Sequence, residues 1–265
     1  MTAALCICAG ILAGGCQRHE EEGTPSVRIG IGLYRGDDTS INNIRQELEN
    51  CAKAYEQETG IKVHLDIQDA KGSQYTQNNQ VERFISLECD ALCINLVDRT
   101  AASSIIDKAM GADVPVVFFN RQPAEEDLNR WDRLYYVAAS AKESAVLQGN
   151  IVADQYRQDP FGLDTDGDGV VSYVLLEGES SHQDALIRTE WSVQTLRDAG
   201  VPIEKITGGI ANWERSQASA LMEQWLMEYP DTIELVISNN DDMALGAIDA
   251  MERAGVTGIQ VVGID

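Results

Sequence analysis

Basic residues are scarce in this chain, which has 20 Lys and Arg against 43 Asp and Glu in 265 residues. The formal net charge of −23 at pH 7 is spread along the sequence rather than gathered at one end. Because nucleic acids and anionic membrane surfaces are polyanions, such a charge opposes binding to either of them. The composition therefore predicts no nucleic acid partner, while cations and neutral ligands remain compatible with it.

Histidine and cysteine are also few, with three His and six Cys. Cys89 and Cys93 stand four positions apart, but no second Cys or His pair lies near them in the sequence. A structural zinc site needs four such ligands, so none is predicted here. The two cysteines are interpreted as small buried apolar side chains.

Long apolar runs are missing as well, and the run within residues 1–26, "MTAALCICAGILAGGCQRHEEEGTPS", is too short to cross a bilayer. Small residues followed by Cys16 are typical of a secretory leader with a lipoprotein cleavage site, in which Cys16 would carry the lipid. We therefore expect an extracytoplasmic protein, in the periplasm or on the outer face of the cell membrane, that touches the membrane only through a lipid anchor. A buried or disordered apolar leader is the alternative.

From Val27 onward, apolar β-branched runs alternate with amphipathic helical patterns, beginning with "VRIGIGLY" and "INNIRQELENCAKAYEQE". This alternation predicts parallel α/β sheets covered on both faces. It pauses in the stretch "RQPAEEDLNRWDRLYYVAAS", interpreted as a connection, and then restarts. We predict two α/β domains, residues 27–137 and 138–265, after the leader and linker of residues 1–26. Because the sequence stops directly after a strand, we expect the fold to be incomplete at its C-terminus.

Polar side chains follow six of the predicted strands, and ligands of open α/β sheets bind at the carboxyl ends of the strands. Carboxylates, amides and a guanidinium can each pair with sugar hydroxyls, while an aromatic ring covers the apolar face of the sugar. Structural alternatives also exist: Asp184 and Arg188 could form a helix-surface ion pair, Asp38 or Asn240 could be a helix N-cap, and Trp213 could belong to the core. The candidate ligand-binding residues are Asp38, Asn120, His182, Asp184, Arg188, Trp213, Asn240 and Asp265.

The stretch "FGLDTDGDGVVSYVLLEG" begins like the calcium loop of an EF-hand, with Gly169 at the turn position. Position 12, where an EF-hand has a bidentate carboxylate, is Leu175, and the nearest local acid is Glu177. Three aspartates within five residues repel one another unless a cation neutralises them, although a solvated Asp/Gly-rich turn without metal is the alternative. The loop predicts Ca²⁺ as a structural cofactor, held by Asp164, Asp166, Asp168, the carbonyl of Val170 and Ser172.

The segments "VPVVFFN", "YYV", "KES", "YVLLEGE", "H-x-D-x-x-x-R-T", "NND-x-MA-x-GA" and "VVGID" occur in this order. Together they closely resemble the bacterial periplasmic galactose/glucose-binding proteins, from Val27 to Asp265. The resemblance implies a type I periplasmic binding protein fold, with two Rossmann-like domains joined by three hinge strands. It also implies a monomer without enzymatic activity that delivers a monosaccharide to the permease of an ABC importer and, in some bacteria, presents it to a chemoreceptor.

The resemblance further implies that the candidate residues hydrogen-bond a pyranose, that Trp213 stacks on it, and that Glu234 supplies the missing bidentate ligand of the calcium loop. Ser40 stands where the family has a second aromatic residue, which leaves Ile41 as the nearest apolar side chain. Another monosaccharide is therefore an alternative ligand. Less favoured are a glycosidase, which would use paired carboxylates, and a sugar-responsive transcription regulator, for which residues 1–26 contain no helix-turn-helix.

Overall fold

The computed structural model describes residues 25–265, so the predicted leader and its Cys16 lie outside the described residues. The strands are β1 (Ser26–Leu33), β2 (Lys62–Asp69), β3 (Ala91–Ile94), β4 (Val116–Phe119), β5 (Leu134–Val137), β6 (Val171–Glu177), β7 (Ile203–Ile210), β8 (Leu235–Ser238) and β9 (Gln260–Val262). The helices are α1 (Thr39–Thr59), α2 (Gln74–Ser86), α3 (Ala102–Gly111), α4 (Glu125–Leu128), α5 (Ala141–Gln158), α6 (Gln183–Asp198), α7 (Arg215–Glu228) and α8 (Asp241–Ala254). Within residues 25–265, no helix has both the length and the apolar character required to cross a bilayer.

The strands form two separate parallel sheets, which confirms the predicted α/β architecture. The first has the order β2-β1-β3-β4-β5 and the second has the order β7-β6-β8-β9. In each sheet the second strand along the chain lies on one side of the first, and the third lies on the other side. Such a reversal opens a crevice at the carboxyl ends of the strands, where ligands of this fold class bind.

The stretch that follows β4 contains a strand as well as a connection. β5 pairs in parallel with β4, from Leu134 opposite Val116 to Val137 opposite Phe119. Its residues alternate between half-buried and exposed, so they lack the continuous apolar run by which the inner strands are identified. The interpretation of the whole stretch as a connection was therefore wrong for Leu134–Val137.

Helices cover both faces of each sheet and bury the apolar side chains between them. In the first sheet, α2 and α3 pack on one face around Phe84, and α1 packs on the other around Ile41. In the second sheet, α5 and α6 pack around Leu196, and α7 and α8 pack around Met222. Both cores thus hold the strand ends of their sheets in fixed positions, which is what a ligand site at those ends requires.

Candidate functional site

One cleft between the two sheets brings together all eight candidate ligand-binding residues. They come from the segments that follow β1, β4, β6, β7, β8 and β9, so both sheets contribute to its walls. The space between these walls is narrow, about 50 Å³. The side chains that line it are Tyr34, Asp38, Ser40, Ile41, Asn120, Arg121, His182, Asp184, Arg188, Trp213, Asn240 and Asp265.

Three of the cleft residues also begin a helix. The Asp38 carboxylate and the Asn240 amide oxygen each accept a hydrogen bond from the backbone N–H three residues later, at 3.0 Å. His182 Nδ1 accepts one from the backbone N–H two residues later, at 3.1 Å. The N-cap alternative for Asp38 and Asn240 is therefore correct, yet it does not displace the ligand interpretation. A turn from strand to helix places its cap residue at the carboxyl edge of the sheet, where the cleft lies.

The imidazole of His182 is held in one protonation state. Burial lowers its pKa to about 3, and the positive charges of Arg121, Arg188 and Arg99 act in the same direction. The ring is therefore neutral near pH 7, and because Nδ1 accepts a hydrogen bond, the proton resides on Nε2. His182 consequently offers an N–H donor for a ligand oxygen.

Trp213 occupies the cleft in a conformation that bulky residues rarely adopt, with a backbone φ of 66°. Its indole is buried, and its ring centroid lies 5.1 Å from that of His182 in an edge-to-face arrangement. Gly178 makes room for the indole, because a Cβ atom at this position would lie 2.2 Å from Cζ2 of Trp213. Strained backbone held by tight packing is common at ligand sites, where it orients a side chain. The alternative that Trp213 belongs to the apolar core is true of its packing, but its side chain also lines the cleft.

Asp184 and Arg188 are spaced as an ion pair on α6 but are only weakly paired. Their nearest charged atoms are 4.0 Å apart, and Nη1 of Arg188 donates to the Asn239 carbonyl oxygen at 2.9 Å. Burial raises the pKa of Asp184 against the opposing effect of Arg188. Nε of Arg188 is buried and has no partner among the described residues. Both side chains therefore retain hydrogen-bonding capacity for a ligand.

Two further cleft residues, Tyr34 and Arg121, were not predicted. The Tyr34 hydroxyl donates to Asp38 at 2.5 Å, and the guanidinium carbon of Arg121 lies 3.8 Å from the centre of the Tyr34 ring. Burial raises the pKa of Tyr34, and Asp38 raises it further, so the phenol keeps its proton. Position gives a signal for each: Tyr34 directly follows β1, and Arg121 directly follows Asn120.

Two ion pairs bridge the cleft from one sheet to the other. Nη2 of Arg121 lies 2.9 Å from Oε1 of Glu179, and Nη1 of Arg35 lies 2.6 Å from Oε1 of Glu214. Each arginine follows a strand of the first sheet, and each glutamate follows a strand of the second. Since neither pair links neighbours in the sequence, pattern reading along the chain did not reveal them.

Ser40 lines the cleft at the position where the resemblance has an aromatic residue. Ser40 also lines an apolar cavity of about 580 Å³ beside the cleft, whose walls include Ile44 and Phe119. Asp265 lines both spaces, and its burial, together with the charge of Asp241, raises its pKa to about 6. Because Ser40 is small, no aromatic ring from position 40 covers a ligand on this side of the cleft.

The calcium-like loop lies before β6, and part of its predicted ligand set is assembled there. Asp164, Asp166 and Glu234 each place one carboxylate oxygen within 4.8 Å of the others. Glu234 also accepts backbone hydrogen bonds from Thr165 at 2.6 Å and from Ser172 at 2.9 Å. The carboxylate expected from a distant segment is thus joined to the loop.

The remaining candidate ligands of the loop are placed differently. Asp168 is exposed, lies outside the three-carboxylate cluster, and accepts the backbone N–H of Val170 at 2.8 Å. Glu177, the local competitor of Glu234, instead lies 3.8 Å from Lys205. The structure therefore favours Glu234 over Glu177 as the carboxylate associated with the loop.

Two carboxylates of the cluster are buried and have no basic partner within residues 25–265. Asp164 is 5% exposed and Glu234 is 2% exposed, and each accepts hydrogen bonds from backbone N–H groups of the loop. None of the ion pairs formed within residues 25–265 brings a lysine or arginine to either of them. Negative charges this close repel one another, and a cation between them would offset that repulsion. A donor set made only of oxygen atoms is the kind that hard divalent cations prefer.

Comparison with known proteins identifies the family. Residues 36–265 match the periplasmic binding protein domain, and the chain belongs to this family. It is 37% identical to the D-galactose/methyl-galactoside binding periplasmic protein MglB of Haemophilus influenzae. The alignment spans 239 residues, which are 90% of this chain and 70% of that protein. It is 32% identical to a putative rhizopine-binding protein of Rhizobium meliloti, over 89% of this chain and 72% of that protein.

Solved structures share the same two-sheet architecture. An ABC transporter solute binding protein from Bacillus halodurans with bound myo-inositol is 27% identical and superposes with a TM-score of 0.71, over 91% of this chain and 76% of that chain. The fructose binding periplasmic domain of a hybrid two component system is 26% identical, with a TM-score of 0.69 over 90% of this chain and 72% of that chain. The fold and the family thus agree with the prediction made from the sequence motifs.

Proposed function

We propose that this chain is the monosaccharide-binding component of an ABC importer and that it binds galactose, glucose or a methyl galactoside in the cleft between its two sheets. The observation that carries the proposal is that eight predicted side chains, from six strand ends of two sheets, line one cleft. Their donors and acceptors match a ring of hydroxyl groups, each of which donates and accepts one hydrogen bond or more. The identity with the galactose-binding relative supports the choice of hexose.

The residues have distinct roles in this proposal. Asp38, Asp184 and Asp265 accept hydrogen bonds from sugar hydroxyls, whereas His182 and Arg188 donate to sugar oxygens. Asn120 and Asn240 can do both. The indole of Trp213 covers the C–H face of the ring, an apolar contact that complements the polar edge.

Binding involves a movement of the two sheets relative to each other. The cleft is narrow, about 50 Å³, and both sheets contribute to its walls. A ligand held between walls from both sheets enters when the sheets separate and is enclosed when they approach. The two ion pairs that bridge the cleft then help to hold the enclosed form.

Ca²⁺ is proposed as a structural cofactor of the loop before β6. Asp164, Asp166 and Glu234 would supply carboxylate oxygens, with the remaining ligands from Asp168, the carbonyl of Val170 and Ser172. No sugar contact is assigned to the ion, because the loop lies at the amino end of β6 and the cleft at its carboxyl end. The ion would tie the start of β8 to the loop before β6.

We further propose that the protein works outside the cytoplasm, as a lipoprotein anchored through Cys16, and that the importer permease and, in some settings, a chemoreceptor recognise it. No catalytic step is assigned, because in this proposal the carboxylates of the cleft serve as hydrogen-bond acceptors for the sugar hydroxyls. A cyclic polyol is the second candidate ligand. It is favoured by Ser40, which removes a stacking ring, and by the structural relative that binds myo-inositol.

Titration calorimetry of the full chain tests the proposal with a panel of hexoses, pentoses, their methyl glycosides and myo-inositol. We expect sub-millimolar or tighter binding of galactose or glucose. Asp184→Asn should weaken that binding, whereas Asp198→Asn, at the exposed end of the same helix, should not. Binding of myo-inositol alone would select the second candidate. Hydrolysis of an aryl glycoside would overturn the assignment of a binding protein.

A further inference from the structure

A second cavity adjoins the cleft and shares three of its side chains. It has a volume of about 310 Å³ and is bounded by the loop Val97–Thr100 and Gln122 on one side and by residues Ser181–Asp184 on the other. Arg121, His182 and Asp184 line both spaces, so the cavity opens beside the proposed sugar site. Its size lies at the lower end of the roughly 300–1,000 Å³ typical of small-molecule pockets.

Two buried polar atoms on the walls of this cavity have no partner among the described residues. One is the side-chain oxygen of Gln183, an acceptor, and the other is Nε of Arg121, a donor. Arg121 is only 8% exposed, so solvent does not satisfy its Nε–H. Buried polar groups are nearly always hydrogen-bonded, and an unpartnered one often marks a ligand position. Because a hydroxyl group both donates and accepts, one ligand hydroxyl can satisfy an acceptor and a donor of this kind.

The wall opposite Gln183 adds further hydrogen-bond donors. Nε of Arg99 donates to the Gln122 carbonyl oxygen at 3.1 Å, and no residue within 25–265 accepts a hydrogen bond from its two terminal nitrogens. Arg121 is engaged through Nη1 with the Val97 carbonyl oxygen and through Nη2 with Glu179. These bonds fix its position between the two spaces. Both walls of the cavity therefore carry hydrogen-bonding groups beside its apolar surface.

We propose that this cavity is a subsite for the aglycone of a glycoside and that it selects aglycones carrying a hydroxyl group, such as a polyol or a second sugar. This inference rests on the proposed function, because the sugar ring must occupy the adjoining cleft. Gln183 and Arg121 recognise the aglycone hydroxyl, and Arg99 donates to its oxygen atoms. A free hexose in the cleft does not reach Gln183 or Arg99, which line only the second cavity.

Two matched ligands test the subsite by calorimetry on the full chain. The 2-hydroxyethyl and propyl galactosides, each as both anomers, differ only by a terminal hydroxyl in place of a methyl group. For one anomer we expect the hydroxyethyl glycoside to bind about tenfold more tightly, the gain of a hydrogen bond in a buried site. Gln183→Leu should abolish this preference and leave the affinity for free galactose unchanged. Gln194→Leu, an exposed position on the same helix, should preserve it.

The outcomes separate this inference from the proposed function. Equal or tighter binding of the propyl glycoside, or a preference that survives Gln183→Leu, overturns the subsite. Binding of free galactose without binding of either glycoside overturns the subsite but leaves the proposed function intact. If neither the hexose nor the glycosides bind, both fail together. Should Gln183→Leu not fold, Arg99→Met on the opposite wall provides the same test.

Discussion

Arg121 and Glu179 lie on opposite sides of the cleft, and their side chains meet at 2.9 Å between Nη2 and Oε1. Arg121 follows β4 of the first sheet, and Glu179 follows β6 of the second. The pair can form only when the carboxyl ends of the two sheets approach each other. The ion pair therefore stabilises the closed arrangement of the two sheets rather than the folding of either sheet.

Glu179→Gln should weaken hexose binding, because the closed form loses the carboxylate that faces a buried guanidinium. Glu179 is a quarter exposed, so solvent screening limits the cost to about 1–2 kcal/mol, or about tenfold in affinity. Calorimetry measures the affinity, and thermal unfolding of the ligand-free variant should change little. Asp249→Asn serves as the control, since its pair with Arg215 joins α7 to α8 beside one sheet. An equal loss of hexose affinity in Glu179→Gln and Asp249→Asn would contradict a role of the Arg121–Glu179 pair in closure.

Removal of the proposed calcium ion should lower the melting temperature. A cation present at a hundredfold excess over its dissociation constant stabilises a protein by about 3 kcal/mol, which corresponds here to on the order of 10 °C. Glu234→Gln should reproduce most of this loss and remove the response to a chelator. Glu228→Gln, an exposed position at the end of α7, should keep both the stability and the response. A melting curve unchanged by chelator would refute the metal assignment.

His182 should make stability depend on pH below about 6.5. Its pKa is lowered to about 3 in the folded protein from an ordinary value of 6.5. Between these two values the unfolded chain binds a proton that the folded chain does not, so stability falls as the pH falls through this window. The slope from this one group is at most about 1.4 kcal/mol per pH unit.

Denaturant unfolding between pH 4.5 and pH 7.5 measures the effect, with His182→Asn as the comparison because asparagine also caps helices well. The variant should lose the part of the slope that begins near pH 6.5 and keep the part due to carboxylates. Identical slopes in the two proteins would show that the pKa of His182 is not lowered in the folded state.

Trp213 should report ligand binding directly. Stacking of a sugar ring on its indole should change the tryptophan fluorescence on titration with galactose. Trp213→Phe should remove that change and weaken binding by about 1 kcal/mol, since a smaller ring covers less of the sugar. Trp191→Phe, at a site on α6 next to Lys142, should retain the change. A signal that survives in Trp213→Phe would place the sugar elsewhere.

The sequence predicted the part of the site that depends on strand ends, because a parallel strand followed by a helix places its next residues at one edge of the sheet. Asp38, Asn120 and His182 were found in this way. Arg121 and Glu179 were not, since their partnership arises from the packing of one domain on the other and has no local pattern. Tyr34 was hidden because it continues the apolar run of β1.

Other features needed information beyond local pattern. Glu234 was assigned to the calcium loop through family resemblance, as 66 positions separate it from Asp168 and no spacing rule connects them. β5 was missed because an edge strand of four residues buries only alternate side chains. In both cases the placement of the residues depends on contacts between distant parts of the chain, which local sequence propensity does not reveal.

The double role of Asp38, His182 and Asn240 as helix caps and cleft residues restricts how ligand preference can change during evolution. At any of these three positions, a substitution to a residue that cannot cap a helix costs about 1 kcal/mol of folding stability, whatever its effect on the contacts to a sugar. Ser40 makes no helix cap, so its side chain can vary in size without this penalty. We expect diversification of ligand preference to begin at position 40, and laboratory selection for a new sugar should yield changes there first.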